Sequence, residues 1–240
     1  MASKEESSVY DMAYRGKTAA VKILINENEK LKTQTDSNGR TLLHWAALGG
    51  HEDLVRHLLS LGALADPPDD TNMTPLILAS SAGRDKIVKI LLNEGVNVNE
   101  KSDEGHSALQ YAASKNWPEI CAALIEKDAD INIADKRGAT PLHRSASKGN
   151  YAIVNMLVER GKSLNIDQAD MYGNSALHLA CEEDQRDVAK LLVSKGANVE
   201  LTNKERKTPL DIANPTLARQ IHELREKMSA ADVLYRISDN

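Results

Sequence analysis

Apolar residues recur along this chain in spaced pairs. Leu54-Val55 is followed by Leu58-Leu59, and the spacing returns at Ile87-Val88 with Leu91-Leu92 and at Ile120-Cys121 with Leu124-Ile125. It returns again at Ile153-Val154 with Leu157-Val158 and at Val188-Ala189 with Leu192-Val193. A 1-2-5-6 spacing lays one apolar stripe along a helix and leaves the remaining faces polar. Ahead of each stripe stands a shorter phrase that opens on a hydroxyl residue. The copies are Thr41-Leu42-Leu43-His44, Thr74-Pro75-Leu76-Ile77, Ser107-Ala108-Leu109-Gln110, Thr140-Pro141-Leu142-His143, Ser175-Ala176-Leu177-His178 and Thr208-Pro209-Leu210-Asp211. Ser or Thr there predicts an N-cap, and Pro behind it occupies the first helical position, where its missing N–H costs nothing. Each unit therefore reads as a turn such as Asp36-Ser37-Asn38-Gly39, a short helix ending near Gly49-Gly50, and an amphipathic helix closed by a residue such as Gly62.

The phrase starts at 41, 74, 107, 140, 175 and 208, in steps of 33, 33, 33, 35 and 33. That period with a T-P-L-H phrase is the signature of the ankyrin repeat. The expected architecture is an all-α ankyrin-repeat solenoid of seven helix-turn-helix units with β-turn fingers. The units fall at about 7–38, 39–71, 72–104, 105–137, 138–172, 173–205 and 206–228, within a single domain over 9–228. Five are complete and two are caps. The first has the stripe Ala20, Val21, Leu24 and Ile25 without the phrase; the last carries Leu217, Ile221 and Leu224 opposite a charged outer face. Residues 1–8 are expected to be flexible. In the tail, 229–240, fraying is expected rather than helix extension through Val233, Leu234 and Ile237. The longer step places two extra residues in the stretch 164–170. Asn72 and Arg206 stand where other turns have Gly; arginine tolerates the left-handed region poorly, so the last turn is expected to be shaped differently. Asp128 and Asp184 likewise replace glycines at helix ends.

Composition narrows the setting. A net charge of −5 argues against general affinity for phosphate backbones. The core must be aliphatic, since the chain has no Phe. Cys121 and Cys181 sit at apolar helical positions and do not form a disulfide framework, which points to reduced thiols in the cytoplasm or nucleus. The start shows no secretory pattern, no run approaches the roughly 18 apolar residues of a membrane span, and the Asn72-Met73-Thr74 sequon reads as accidental.

Candidate chemistry is sparse. His44, His143 and His178 occur one per unit, without clustered Cys or carboxylates, and are expected to bond neighbouring turns rather than a metal. His51-Glu52 and His57 have the wrong spacing for a zinc helix, and Gly161-Lys162-Ser163 lacks the first glycine of a phosphate loop. Leu179, Cys181 and Glu183 fit the L-x-C-x-E pattern of retinoblastoma-pocket ligands, but Leu179 and Cys181 are expected to be committed to a helix. No enzyme, cofactor or metal site is expected.

Packing does not dictate the turn tips and one face of each first helix, which are expected to line a concave side. Along them run Arg40, Trp45, Asp70, Met73, His106, Tyr111, Lys115, Trp117, Arg137, Arg144, Lys148, Tyr172, Glu182 and Glu183. The middle is cationic and aromatic, as a binding face for an acidic protein segment would be.

Six phrases are the most specific, and several of them lie outside the general repeat framework: Ala13-Tyr14-Arg15-Gly16-Lys17, Leu43-His44-Trp45-Ala46, Ser81-Ala82-Gly83-Arg84-Asp85-Lys86-Ile87-Val88-Lys89, Tyr111-Ala112-Ala113-Ser114-Lys115-Asn116, Leu177-His178-Leu179-Ala180-Cys181-Glu182-Glu183 and Asn203-Lys204-Glu205-Arg206-Lys207-Thr208-Pro209-Leu210. From about Tyr10 to Leu224 the chain resembles the gankyrin family, seven-repeat non-ATPase subunits of the proteasome regulatory particle. The resemblance implies an assembly chaperone whose concave face grips the C-terminal domain of a base ATPase. It also implies links to a cyclin-dependent kinase, a retinoblastoma-type pocket protein or a ubiquitin ligase. By position, Arg40 and Lys115 match the family's cationic contacts. The insertion near Asp167 and the tail after Leu224 depart from the family pattern. A monomer without nucleic-acid or membrane partners is expected.

Overall fold

The structure is a computed structural model that describes residues 8–161 and 163–238, with side chains described to residue 229. The expected flexible residues 1–7 and Lys162 lie outside the described residues. Contacts gather into two compact units, Met1–Asp130 and Ile131–Asn240, where the sequence reading draws one domain. A repeat array has contacts only between neighbours, so it lacks the long-range contacts that would tie distant parts into one cluster.

The first unit holds α1 (Val9–Tyr14), α2 (Thr18–Glu27), α3 (Leu42–Gly49), α4 (Glu52–Ser60), α5 (Pro75–Ser81), α6 (Asp85–Asn93), α7 (Ala108–Lys115) and α8 (Pro118–Glu126). The first helices pack in the order α1, α3, α5, α7 and the second helices in the order α2, α4, α6, α8. The second unit holds α9 (Pro141–Ser147), α10 (Tyr151–Arg160), α11 (Ala176–Glu182), α12 (Arg186–Ser194), α13 (Pro209–Ile212) and α14 (Pro215–Ser238), with α9, α11, α13 and α10, α12, α14 in contact in the same way. Stripe residues such as Leu54, Val55, Leu58, Ile153, Val154 and Leu157 are fully buried. At roughly 1.5–3 kcal/mol for each such side chain, neighbour burial is the dominant stabilising contribution.

All six hydroxyl residues stand at N-caps, and at five of them, Thr74 excepted, the residue three places on caps back. At Thr41, Thr140 and Ser175 the residue three places on is histidine. Its Nδ1 accepts the cap backbone N–H at 3.1, 3.2 and 3.1 Å for His44, His143 and His178 respectively. An accepting Nδ1 fixes the tautomer with the proton on Nε2. That N–H donates to a carbonyl of the next finger: Met73 O at 3.1 Å, Asn174 O at 2.9 Å and Lys207 O at 3.2 Å. Each ring thus caps its own helix and ties it to the following repeat. Gln110 caps Ser107 with its amide oxygen at 3.0 Å, and Asp211 caps Thr208 at 2.8 Å.

A second ladder runs through the loops after the second helices. Asp66 accepts from the backbone N–H of Asn97, and Asn99 accepts from that of Asp130, in the first unit. In the second, Asn132 accepts from Asn165 and Asp167 from Asn198. This register moves the two extra residues. Asn165 is the counterpart of Asp130, 35 residues earlier, so the insertion precedes 165 instead of lying in 164–170. It extends α10 to Arg160 and adds Gly161, whose φ is not left-handed and whose missing Cβ leaves room for Ile131 Cδ1.

Arg206 also departs from expectation. Its φ of 61° is left-handed, as in the glycine turns, and Asn203 N–H still bonds Lys207 O. Asn203 Oδ1 accepts from both Glu205 and Lys207 N–H and over-determines the turn. The tail differs too: α14 continues to Ser238 where fraying is expected, because neither Gly nor Pro follows Pro215.

Two outcomes follow for stability. Arg206→Gly relieves a left-handed arginine and raises unfolding free energy by up to roughly 1 kcal/mol in urea titrations. Burial lowers the pKa of His44, His143 and His178 below the ordinary 6.5. The unfolded chain therefore takes up protons at these rings first, and stability present above pH 6.5 declines as pH falls below it. Each ring contributes a slope of up to about 1.4 kcal/mol per pH unit. His143→Gln, which copies the cap that Gln110 makes, should leave stability at pH 7.5 within about 1.5 kcal/mol of the parent and make the decline toward pH 5 shallower.

Candidate functional site

The candidate binding face is built by the finger turns and the first helices. Each turn is organised by a buried or half-buried polar residue at its base. In the first unit, Asp36 Oδ1 accepts from the N–H of Asn38 and Arg40, and Asp69 Oδ1 accepts from Thr71 and Met73. The second carboxylate oxygen is then available to a side chain. Asp36 Oδ2 takes Trp45 Nε1–H at 2.8 Å, and Asp69 Oδ2 takes Arg40 Nε–H at 2.8 Å. Burial alone would raise the Asp69 pKa, but Arg40, Met73 and Thr71 outweigh it and hold the carboxyl below the usual carboxylate range.

Arg40 is therefore not the free cation expected from sequence. Its guanidinium pairs with a carboxylate whose side chain is 2% exposed and lies 5.0 Å from the Trp45 ring centroid. It joins one finger to the next as a structural contact. Trp45 is half-buried and meets Tyr14 edge-on, with centroids 5.9 Å apart. Asp70 keeps an exposed carboxylate while its N–H bonds Asn38 O at 3.0 Å. Met73, His106 and Tyr111 form one half-buried group. Tyr111 Oη–H points at Met73 Sδ at 3.9 Å, and His106 meets the Tyr111 ring edge-on at 5.3 Å. Lys115 ends α7, one turn beyond Tyr111, with an exposed ammonium.

Trp117 also changes role. It lies in register with His51 and Arg84, in the break between first and second helices, and each of these residues reaches back to the preceding repeat. His51 Nε2 bonds Tyr14 O at 2.7 Å, and Arg84 Nε–H donates to Leu48 O at 3.0 Å. The indole of Trp117 covers Gly83, where an added Cβ would lie 2.7 Å from the ring. Although 39% exposed, the ring is a packing clamp between repeats. Gln185 does the same in the second unit, covering Gly149 and donating to Ser147 O. Sequence reasoning missed this series, whose signal is a bulky residue directly after the left-handed position that ends each first helix.

In the second unit Asp135 organises the turn through the N–H of Arg137 and Ala139, and its other oxygen pairs with Arg144. Arg144 thus takes the place that Trp45 holds against Asp36, nine residues after its aspartate, and is not free. Burial would raise the Asp135 pKa; Arg144 and the two N–H groups hold it low. Arg137 and Lys148 keep exposed side chains, the second at the C-cap of α9. Tyr172 is exposed at the next finger tip beside Met171. Glu182 and Glu183 are exposed at the C-terminal end of α11. Cys181 is buried within that helix, and burial pushes its thiol up to about 12. Leu179 and Cys181 are therefore helical, with Glu183 at the C-cap, and the three do not form an extended ligand. Among the described residues no group of His, Cys, Asp or Glu is placed to hold a metal ion.

Residues 9–102 and 94–168 match the model for ankyrin repeats in three copies, and 172–204 match that for the single ankyrin repeat. Over 67 residues the chain is 45% identical to human 26S proteasome non-ATPase regulatory subunit 10. That stretch is 28% of this chain and 30% of that protein, shorter than the span from Tyr10 to Leu224 over which the resemblance is expected from sequence. The human ASB11 ankyrin-repeat domain superposes with a TM-score of 0.79 at 26% identity, over 91% of this chain and 98% of that one. The ankyrin-repeat domain of Bcl-3, at 24% identity, superposes with a TM-score of 0.78 over 91% of this chain and 99% of that domain, a likeness of fold alone. The clamps, capped fingers and matched repeats place the chain in the ankyrin-repeat family, as a protein-binding scaffold.

Proposed function

We propose that this scaffold is non-enzymatic and acts as an assembly chaperone of the proteasome regulatory particle, docking the C-terminal domain of a base ATPase on its turn-and-first-helix face. The observation that carries the reading is the 45% identity to the human proteasome regulatory subunit. The face supports it chemically. In the first unit Lys115 is an exposed cation beside the Met73, His106 and Tyr111 group, a polar and apolar combination suited to an acidic segment. The second unit presents Arg137 and Lys148. A monomer working in cytoplasm and nucleus fits two buried, reduced cysteines. The alternative, a signalling scaffold for a kinase, pocket protein or ubiquitin ligase, gains nothing from the L-x-C-x-E match, since Cys181 is buried.

The test is affinity purification of the full chain, read by mass spectrometry for proteasomal ATPases. Lys115→Glu should lower ATPase recovery about tenfold while lowering folding stability by no more than about 1 kcal/mol. Recovery equal to the parent, or an eluate without ATPase peptides, would sink the reading. Arg40→Ala is a contrasting variant. It leaves Asp69 buried without its cation and should lower unfolding free energy by roughly 1–3 kcal/mol, so any loss of binding there is confounded by loss of fold.

A further inference from the structure

A cavity that the proposed function does not use lies at the start of the first unit. It has a volume of about 490 Å³ and is lined by Tyr10, Asp11 and Tyr14 of α1, by Asp36 of the first finger and by Trp45 of α3. The lining holds three aromatic rings, two carboxylates and no cation. Tyr14 and Trp45 stand at 76° to one another and form a corner, with Tyr14 45% exposed. Trp45 cannot swing away, because its indole N–H is held by Asp36 and Arg40 lies against its ring. Arg40 is itself neutralised by Asp69, and Arg15 pairs with Asp11 at 2.8 Å from outside the lining.

Tyr10 supplies the second observation. Among the described residues its phenolic oxygen is buried without a hydrogen-bond partner. A buried hydroxyl in that state costs free energy that a ligand donor would recover. Burial, and then the negative charge of Asp36, raise the Tyr10 pKa, so the group remains a neutral phenol whose oxygen can accept an N–H.

We propose that this corner is a subsite for a basic side chain, lysine or arginine, carried by a peptide segment of a protein partner. The alkyl stem lies along Tyr14 and Trp45, where the negative faces of the rings attract the cation. The N–H groups donate to Tyr10 Oη and to the carboxylate oxygens, each of which accepts more than one hydrogen bond. A neutral apolar side chain would leave Tyr10 Oη unanswered, and an anion would be repelled by Asp11 and Asp36. The site is chemically opposite to the cationic contact at Lys115, and it stands whether or not the partner is proteasomal.

The test uses the full chain and reads the indole N–H resonance of Trp45 by nitrogen-edited NMR, with that of Trp117 as the internal control. Blocked tripeptides Gly-Arg-Gly and Gly-Lys-Gly are titrated against the same peptides carrying citrulline or norleucine. The expected result is a saturable shift of Trp45 with at least one cationic peptide, no shift of Trp117, and no saturable shift with either neutral peptide. The stronger of arginine and lysine then identifies the preferred head group. Tyr14→Leu should weaken binding about tenfold and Tyr10→Phe about threefold, with the Trp117 resonance unmoved as evidence that the repeats remain packed. Equal shifts with citrulline and arginine, absence of saturation with both cations, or unaltered binding in both variants would each overturn the assignment.

Discussion

Every helix pair in this chain has an apolar stripe that only an adjacent pair can cover. Leu54, Val55 and Leu58 are fully buried because α2 and α6 lie against α4 on its two sides. Stability is then a sum over neighbouring interfaces, and no residue far along the chain can compensate for a poor one. Apolar contact is non-directional and does not set register by itself. Register comes from polar side chains that reach one repeat onward or back. Histidine Nε2 reaches the next finger, Asp and Asn reach the next loop, and the clamp residues reach the preceding break. Each of these bonds pairs a side chain with a backbone group of the neighbouring repeat, so a slipped repeat loses several at once.

The same economy explains why charge on the sequence is a poor guide to charge on the surface. At Asp36, Asp69, Asp135, Asp170 and Asn203 one carboxylate or amide oxygen collects two N–H groups of its finger turn, whereas Ser102 uses its hydroxyl. In Asp36, Asp69 and Asp135 the second oxygen is left over inside the fold, and it is satisfied by Trp45, Arg40 and Arg144. Three prominent candidates for partner contacts are held by this requirement before any partner arrives. They still shape the face, since an arginine fixed over an indole is rigid, and rigidity lowers the entropy lost on docking.

Much of the architecture was legible because its determinants are local. The Ser and Thr caps, the 1-2-5-6 stripes and the glycine breaks each act within a few residues, and all reappear in the structure at the expected places. What escaped sequence reading depends on which side chains meet, within a finger as well as between repeats. Arg40 and Arg144 look alike as surface cations and are both pinned by an aspartate: Asp69 lies 29 residues after Arg40, whereas Asp135 lies nine before Arg144. Trp117 reads as an anchor until its ring is seen over Gly83. The insertion was misplaced by a few residues because helix extension and loop lengthening give the same period, and only the Asn132-to-Asn165 bond separates them. Arg206 takes the left-handed turn against its intrinsic preference because the two bonds of Asn203 override that preference.

The exposed charges that remain are not randomly placed. Lys115 is the last residue of α7 and Lys148 caps α9, both at helix C-termini, where the partial negative charge of the backbone favours a cation. These two lysines therefore stabilise the fold slightly and are still open to solvent, so their presence alone does not argue for a partner. Glu182 and Glu183 are different. They stand at the C-terminal end of α11, where the helix dipole opposes an anion by a few tenths of a kcal/mol each. The nearest carboxylate, Asp184, is held by Arg186 and Asn214. Local folding disfavours this acidic pair where it favours the lysines. The acids gain nothing from their own helix, whereas the lysines are favoured by theirs.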